Sequence, residues 1–441
     1  MARHIPNFLR DITGGTAMTI ALALPVIALA IGGAIDFGRM SALRMEMQDA
    51  ADVASVGAIA FNSAAYKAGL TAGNGTVITI GETDAQAIFK SDMRTEKDLT
   101  GLVVAAKVTK AQSIINSNVT ATAFYKPYIL DLMGMTSVPV MVTSTSSATV
   151  PPYIDFYLLL DNSPSMGVGA TTADIDTMVN ATAKNSSDAS CAFACHQMDK
   201  PGADYYALAK KLGVTTRIDV VRQATQNLMA TAAKSETLPS QFRMAIYDFG
   251  LSADTIDQQA PPAFQISALT TSLTGSAANA SAIDLMTIPY QNYNSDRQTN
   301  LGSVMKSMNG NIPVVGDGSG PGSPQKVLFM VSDGTNDGYD CAYSNGSTCR
   351  RITPLDITTC TALKARGVRI AVLYTTYLPL PTNSFYNQQL AKYVTPTSQL
   401  ASQMEACATP GLYFEVSPTQ GISQAMNTLF LKVVSVVKIN S

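Results

Sequence analysis

Asp161, Ser163 and Ser165 stand two residues apart in Asp161-Asn162-Ser163-Pro164-Ser165. One carboxylate and two hydroxyls at that spacing offer only hard oxygen ligands, a set that suits a small cation such as Mg²⁺. The stretch follows the largely apolar run Tyr153–Leu160, which reads as a buried strand, so the oxygens collect where that strand ends. Ser and Asp are common in turns, and the spacing alone is a weak signal. Two downstream residues strengthen it. Asp333 lies in Val331-Ser332-Asp333-Gly334, just past the apolar run Lys326–Ser332, and Thr299 lies in Gln298-Thr299-Asn300-Leu301-Gly302, immediately before a helical pattern. Two carboxylates and three neutral hydroxyls leave part of a six-oxygen Mg²⁺ shell open to an outside ligand. That chemistry favours binding over turnover. His4 and His196 have no catalytic context, and no G-x-x-x-x-G-K-[ST] loop occurs.

Such residues need a scaffold that gathers strand ends. From Tyr153 onward, apolar strands alternate with helical patterns. Strands are expected at Tyr153–Leu160, Phe242–Phe249, Phe264–Leu269 (an edge), Lys326–Ser332, Val368–Tyr374 and Leu412–Val416. Helices are expected at Arg217–Lys234, Asn300–Met308, Ile357–Arg366 and Gly421–Val437. This alternation implies an α/β fold, an open, doubly wound, mostly parallel sheet with right-handed crossovers. Ligands bind such sheets at the carboxyl ends of strands, where strand order switches. Pro151-Pro152 marks the start of this domain, residues 151–441.

The five residues Asp161, Ser163, Ser165, Thr299 and Asp333 resemble the metal-ion-dependent adhesion site of von Willebrand factor type A (vWA) domains: Asp-x-Ser-x-Ser, a distant Thr, then a distant Asp often followed by Gly. Met166 after the second Ser also fits. The resemblance implies a Rossmann-like sheet of strand order 3-2-1-4-5-6, with Mg²⁺ (or Mn²⁺) at the top of its first and fourth strands. It also implies a protein partner that completes the shell with its own carboxylate.

Thr16–Ile35 is 20 residues without a charge, enough at about 1.5 Å per residue to cross a hydrocarbon core. Arg3 and Arg10 precede it and Arg39 and Arg44 follow, so charge does not settle orientation. Ala28-Leu29-Ala30 offers a signal-peptidase site as the competing reading. A retained anchor is favoured, because the apolar run continues past that site. Met40, Leu43, Met47, Ala50, Ala51 and Ala54 then recur at helical spacing. The expected layout is a cytoplasmic lead and anchor over 1–35, an amphipathic stalk over 36–62 and a small α+β module over 63–150. In that module a helix is expected at Thr83–Met93 and strands at Gly101–Lys107, Asn118–Phe124 and Met141–Val150.

Gly14-Gly15, the apolar helix, Asp36-Phe37-Gly38-Arg39 and Gln48-Asp49-Ala50-Ala51-Asp52-Val53-Ala54 resemble the N-terminus of TadG-like proteins of tight-adherence (Tad, or Flp) pilus assembly. Ile20 stands where processed pilin-like subunits carry Glu, so processing by a prepilin peptidase is not expected. The resemblance implies that 63–150 is pilin-like and that other pilus assembly proteins are partners.

The chain of 441 residues has a net charge of −2 and no long basic tract, which gives no reason to expect nucleic acid. Its six cysteines, Cys191, Cys195, Cys341, Cys349, Cys360 and Cys407, all lie in the C-terminal domain and suggest disulfides in an oxidising compartment. The obvious pairing is Cys191–Cys195, Cys341–Cys349 and Cys360–Cys407. The first two pairs would staple loop insertions over Gly167–Thr216 and beyond Asp333, building a rim beside the ion. Haem or zinc at Cys191–His196 is a lesser reading, because three residues separate the cysteines and only two histidines exist. The expected molecule is a single-pass protein of the bacterial inner membrane, its C-terminal domain in the periplasm or outside. It is read as a non-enzymatic pilus-assembly component; the alternatives are a stand-alone surface adhesin or, behind it, a metal-dependent hydrolase.

Overall fold

The computed structural model describes residues 14–93, 97–185, 189–249, 263–291, 293, 299–339, 350–376, 380, 383–384, 386–417 and 421–435. The chain divides into two compact units, Met1–Val150 and Pro151–Ser441.

In the first unit a single helix, α1, runs over Gly14–Ala58. Two shorter helices, α2 (Ala64–Thr71) and α3 (Thr79–Asp92), follow, then an antiparallel sheet of β1 (Leu99–Ala111), β2 (Ile114–Tyr125) and β3 (Val138–Thr149) in that order. The two ends of α1 differ because their surroundings differ. Leu43, Met47, Ala50, Ala51 and Ala54 are buried against the sheet with Phe89, Val119 and Tyr125, whereas Met18, Leu22, Leu24 and Ile31 are exposed. That N-terminal part is apolar on every side, so no stripe faces a core. It belongs to the one helix among the described residues that is long and apolar enough to cross a membrane. The strands are longer than expected and α3 begins earlier than Thr83, because alternation along β2 buries every second residue over its whole length.

The second unit is built on a six-stranded sheet. Its strands are β4 (Ile154–Leu160), β5 (Phe242–Asp248), β6 (Phe264–Thr270), β7 (Gln325–Ser332), β10 (Arg369–Thr375) and β11 (Tyr413–Val416); β8 (Thr335–Tyr339) and β9 (Arg350–Pro354) form a separate hairpin after β7. The sheet order is β6-β5-β4-β7-β10-β11, parallel except for the antiparallel edge strand β6. Counted in order of appearance, that is 3-2-1-4-5-6. The longer helices are α4 (Thr172–Thr182), α5 (Tyr205–Lys211), α6 (Arg217–Ser235), α7 (Leu273–Asn279), α8 (Leu301–Asn311), α9 (Ile357–Ala365), α10 (Gln399–Cys407) and α11 (Ile422–Ser435).

Every residue of β4 is buried. Its alternate side chains serve two cores: Phe156, Leu158 and Leu160 pack with Ile218 and Leu228 of α6 and Phe430 of α11, whereas Tyr157 and Leu159 pack with Val304 of α8, Leu363 of α9 and Met404 of α10. A strand covered on both faces reads as a continuous apolar run for this reason. Asp155 is the exception, and it is held by Arg243 in a bidentate pair and by Lys326. The helix α6 keeps Ile218, Val221, Ala224, Leu228 and Met229 on its buried stripe, and a capping box of Thr216 and Asp219 starts it.

Two expectations about cysteines meet different outcomes. Cys360 on α9 and Cys407 at the end of α10 are bridged, with Cα atoms 5.2 Å apart. Cys191 and Cys195 are not bridged to each other. Phe193 between them pairs with Val168 as an antiparallel bridge, and the Cys191 thiol donates to the Phe193 carbonyl. An extended chain gains about 3.3 Å per residue, so four steps carry the ends past the roughly 7 Å that a disulfide tolerates. Cys341 and Cys349 lie outside the described residues. The segment from Gly167 to Thr216 is correspondingly no stapled loop. It holds α4 and α5, and its Met178, Ala194, Tyr206 and Ala209 join the core on the α6 side of the sheet.

Candidate metal centre

β4 and β7 are adjacent, parallel and in register from Ile154↔Gln325 to Leu160↔Val331, so the two chains leave the sheet side by side. Asp161 is the first residue beyond β4 and Asp333 the first beyond β7, and both are buried. The Asp161 amide donates to the Val331 carbonyl at 2.9 Å, which continues the ladder by one step. β4 is also where strand order reverses: β5 and β6 lie to one side of it, and β7, β10 and β11 to the other.

Local hydrogen bonds orient Asp161. Its Oδ1 accepts from the Ser163 amide at 3.0 Å and from the Ser163 hydroxyl at 2.6 Å. Its Oδ2 accepts from the Ser332 hydroxyl at 2.8 Å. Ser163 and Ser165 share a hydrogen bond of 3.0 Å between hydroxyls, so three of the expected ligands form one chain of oxygens. Pro164 supports it by starting a 3₁₀ turn over Pro164–Gly167, its fixed φ suiting the first turn. Met166 is buried beneath it.

Asp333 is held less completely. One oxygen accepts from the Thr335 amide at 3.1 Å, but Oδ2 is buried and has no hydrogen-bond partner. The Thr335 hydroxyl is in the same state. Gly334 turns the chain between them at φ +75°, where a Cβ would stand 2.8 Å from Met404 Cγ. Only glycine meets both demands. Thr299 is buried and exchanges backbone hydrogen bonds with Asp337, four residues beyond Asp333 (2.8 and 3.3 Å), just before Asn300 caps α8. The hairpin that follows Asp333 is therefore what brings Thr299 to this end of the sheet.

Burial first, and then the nearby charge of Asp333, push Asp161 far above the usual carboxylate range despite its donors from Ser163 and Ser332. Two close, buried carboxylates, one with an unsatisfied oxygen, are what a bound cation neutralises. The residues present fit such an ion. Among the described residues no group of three or more His, Cys, Asp or Glu could hold a metal. His196 is occupied with Asp204, the N-cap of α5, at 2.8 Å.

Three neighbours carry no assignment from the sequence. Ser332, in Val331-Ser332-Asp333-Gly334, is a direct donor to Asp161. Asn162, the first variable position of the motif, donates to Asp248 Oδ2 at 3.2 Å and to the Asp284 carbonyl at 3.3 Å. Asp248 ends β5, next to β4, and burial pushes its carboxyl up to about 7 against its own backbone hydrogen bond. An acidic residue closing an apolar strand was the available signal for Asp248.

Residues 14–65 match the family model described as Flp pilus-assembly TadE/G-like. No curated protein matches the chain. Among solved structures, it is similar to proximal thread matrix protein 1 of the mussel byssus with a zinc-occupied MIDAS motif (12% identity, 64% of this chain and 46% of that one, TM-score 0.33). It is also similar to the pilus adhesin SpaC from Lactobacillus rhamnosus GG (8%, 78% and 35%, TM-score 0.36). A third is the vWF domain of the type V pili tip protein Mfa5 from Porphyromonas gingivalis (9%, 66% and 97%, TM-score 0.36). The chain thus spans less than half the length of the first two. Residues 14–65 are thus similar to the Flp pilus-assembly TadE/G-like segment, and they lead into a C-terminal unit whose sheet has the strand order 3-2-1-4-5-6 expected from its sequence.

Proposed function

We propose that this protein is a membrane-anchored, non-enzymatic component of a Tad/Flp-type pilus system whose C-terminal unit grips a protein partner through a divalent cation. The observation that carries this reading is the buried Asp161–Asp333 pair at the switch point of the sheet, with Asp333 Oδ2 left without a partner. Asp161, Ser163, Ser165, Thr299 and Asp333 would hold the ion. Mg²⁺ is preferred, with Mn²⁺ as the near alternative, because all the donors are oxygens and most are neutral. When bound, the ion offers an open position to a carboxylate of the partner. The residues themselves do the rest: Ser332 and the Ser163 amide fix the Asp161 rotamer, Gly334 sets the turn that presents Asp333, and burial keeps bulk water from competing. The apolar part of α1 supports anchoring, and the family match at residues 14–65 supports a place among pilus assembly proteins in the inner membrane.

The test is capture of partners from solubilised membranes with intact protein, in Mg²⁺ or in EDTA, alongside Asp161→Ala. A partner recovered only with intact protein and Mg²⁺ supports the reading. Identical partners in every lane would remove the ion from the function.

A further inference from the structure

The loop after β2 lies against a stretch of α1 that is otherwise bare. Asp36, buried one residue past the apolar run Thr16–Ile35, accepts from the amides of Tyr128 (3.0 Å), Ile129 (2.7 Å) and Leu130 (2.8 Å) and from the Tyr125 hydroxyl (3.2 Å). Arg39, a turn later, places its guanidinium 4.7 Å from the centre of the Tyr128 ring. On the other side of Asp36, Gly32 forms a notch for Ile129: a Cβ at position 32 would stand 2.4 Å from Ile129 Cγ2. Gly32 is about 6 Å further along the helix and inside the apolar run. The loop is thus pinned beside the last turn of that run, and a short 3₁₀ turn over Leu130–Met133 shapes its tip.

The tip faces outward with apolar side chains: Leu132 is 82% exposed, Met133 57% and Met135 53%. Three such neighbours on one short loop are unusual for a face meant for water. Leu130 at the start of this turn lies beside α1, its Cδ2 3.5 Å from where a Cβ at Gly33 would stand, and Ile31 and Ile35 of α1 are exposed as well. Asp131 is the one charge between Pro127 and Met135, which suits a shallow seat at the headgroup boundary rather than the hydrocarbon centre. The reach of about 6 Å past Asp36 agrees with the roughly 5–10 Å depth of interfacial segments. Tyr128, with Arg39 over it, belongs to the residue types that sit at headgroup level.

We propose that residues 128–135 form a membrane-seated foot, with Leu132, Met133 and Met135 in the headgroup–acyl boundary of the bilayer that α1 crosses, and with Asp36 and Gly32 fixing the foot to the helix. The inference rests on the reading of Thr16–Ile35 as a membrane span, and its occupant is lipid. It gives the Asp36-Phe37-Gly38-Arg39 stretch of α1 a physical task, because Asp36 and Arg39 both grip this loop.

The chain has no Trp, so single Trp variants of the full-length protein report on one site each. Leu132→Trp, Leu24→Trp and Ala111→Trp, the last at the far end of the β1–β2 hairpin, would be placed in lipid nanodiscs carrying bromine near the headgroup or near the chain end. The expected result for Leu132→Trp is blue-shifted emission, with a greater loss in the shallow-bromine lipid than in the deep one. Leu24→Trp should show the reverse order, and Ala111→Trp no loss. Adding Gly32→Leu, which fills the notch, should relieve quenching at position 132 and leave position 24 unchanged. Should the double variant fail to fold, the shallow-to-deep comparison at position 132 still decides. Unquenched, red emission from Leu132→Trp beside a quenched Leu24→Trp overturns the foot while leaving the span standing. Loss of quenching at both positions overturns the span, and the foot with it. Blue emission at position 132 that neither lipid quenches means that protein covers the loop, and also overturns the proposal.

Discussion

At the level of single residues, the centre is a balance between burial and charge. Asp161 is satisfied by three donors, yet Asp333 keeps one buried oxygen without any. A buried polar atom in that state costs about 1–3 kcal/mol, and an ion that relieves it stabilises the fold by mass action. Saturating Mg²⁺ at about a hundredfold over Kd is therefore expected to add roughly 2.7 kcal/mol to unfolding free energy. Asp333→Asn should abolish that increment while its metal-free stability stays equal or rises, since one of two repelling carboxylates is gone. Denaturant titrations with and without Mg²⁺ measure both quantities, and an increment that survives in Asp333→Asn excludes this residue as a ligand.

Asp248 supplies a second residue-level prediction. Burial raises its folded pKa to about 7, above the ordinary value of 3.8. A group raised in this way favours the folded state most below its unfolded pKa, and that contribution is lost as pH rises through the folded value. Metal-free protein should lose stability between about pH 4 and 7 on this account, by on the order of 4 kcal/mol at most. Asp248→Asn keeps a partner for Asn162 and should flatten the slope over that window. An unchanged slope means that Asp248 titrates normally.

The five proposed ligands could be picked out in the sequence because each stands at an element boundary that hydropathy marks. Ser332, Asn162 and Asp248 could not, since their roles depend on which strands are neighbours, and sequence order hides that adjacency: β4 and β7 lie side by side but 164 residues of chain stand between Leu160 and Gln325.

Among the elements, strands covered on both faces and helices with one buried stripe announce themselves. β4, β7, β10 and α6 came out within a residue or two of their expected ends, because the burial that creates the pattern also creates the element. The segment from Gly167 to Thr216 did not. Its helices α4 and α5 are short, and the Cys191/Cys195 pair suggested a staple where a β-bridge at Phe193 instead keeps the backbone extended. Spacing in sequence cannot separate a tight turn from a straight run. The Cys360–Cys407 bridge sits differently, tying α9 to α10 across 47 residues of chain. A loop of that size gives a chain-entropy stabilisation of up to about 4 kcal/mol. Replacing both cysteines by alanine is expected to cost about 2–4 kcal/mol in denaturant unfolding without changing the Mg²⁺ increment. A loss of the increment in that variant would tie α10, through Met404 beneath Gly334, to the ion after all.

Across the whole molecule, the division at Val150/Pro151 sets apart two kinds of work. The first unit has its own core, in which α1 contributes Leu43, Met47 and Ala54, and it carries the apolar end of α1. The second has two cores of its own, one on each face of the sheet, and supplies all five proposed ligands. A unit that buries its own apolar surface on both faces of a six-stranded sheet needs no other part of the chain to complete a core. Residues 151–441 expressed alone should therefore unfold cooperatively and bind Mg²⁺ with an affinity within about twofold of the full chain, a difference under roughly 0.5 kcal/mol. Partner capture should behave otherwise if mechanical coupling is the purpose. The fragment would hold the partner in Mg²⁺ but release it from the membrane fraction, so the partner would move to the soluble pool in proportion to added fragment. Calorimetry on the fragment and fractionation after adding it to membranes measure the two halves of this prediction. A fragment that folds yet binds Mg²⁺ more than tenfold, or about 1.4 kcal/mol, more weakly would show that the ion site needs the first unit, and the separation of tasks argued here would fail.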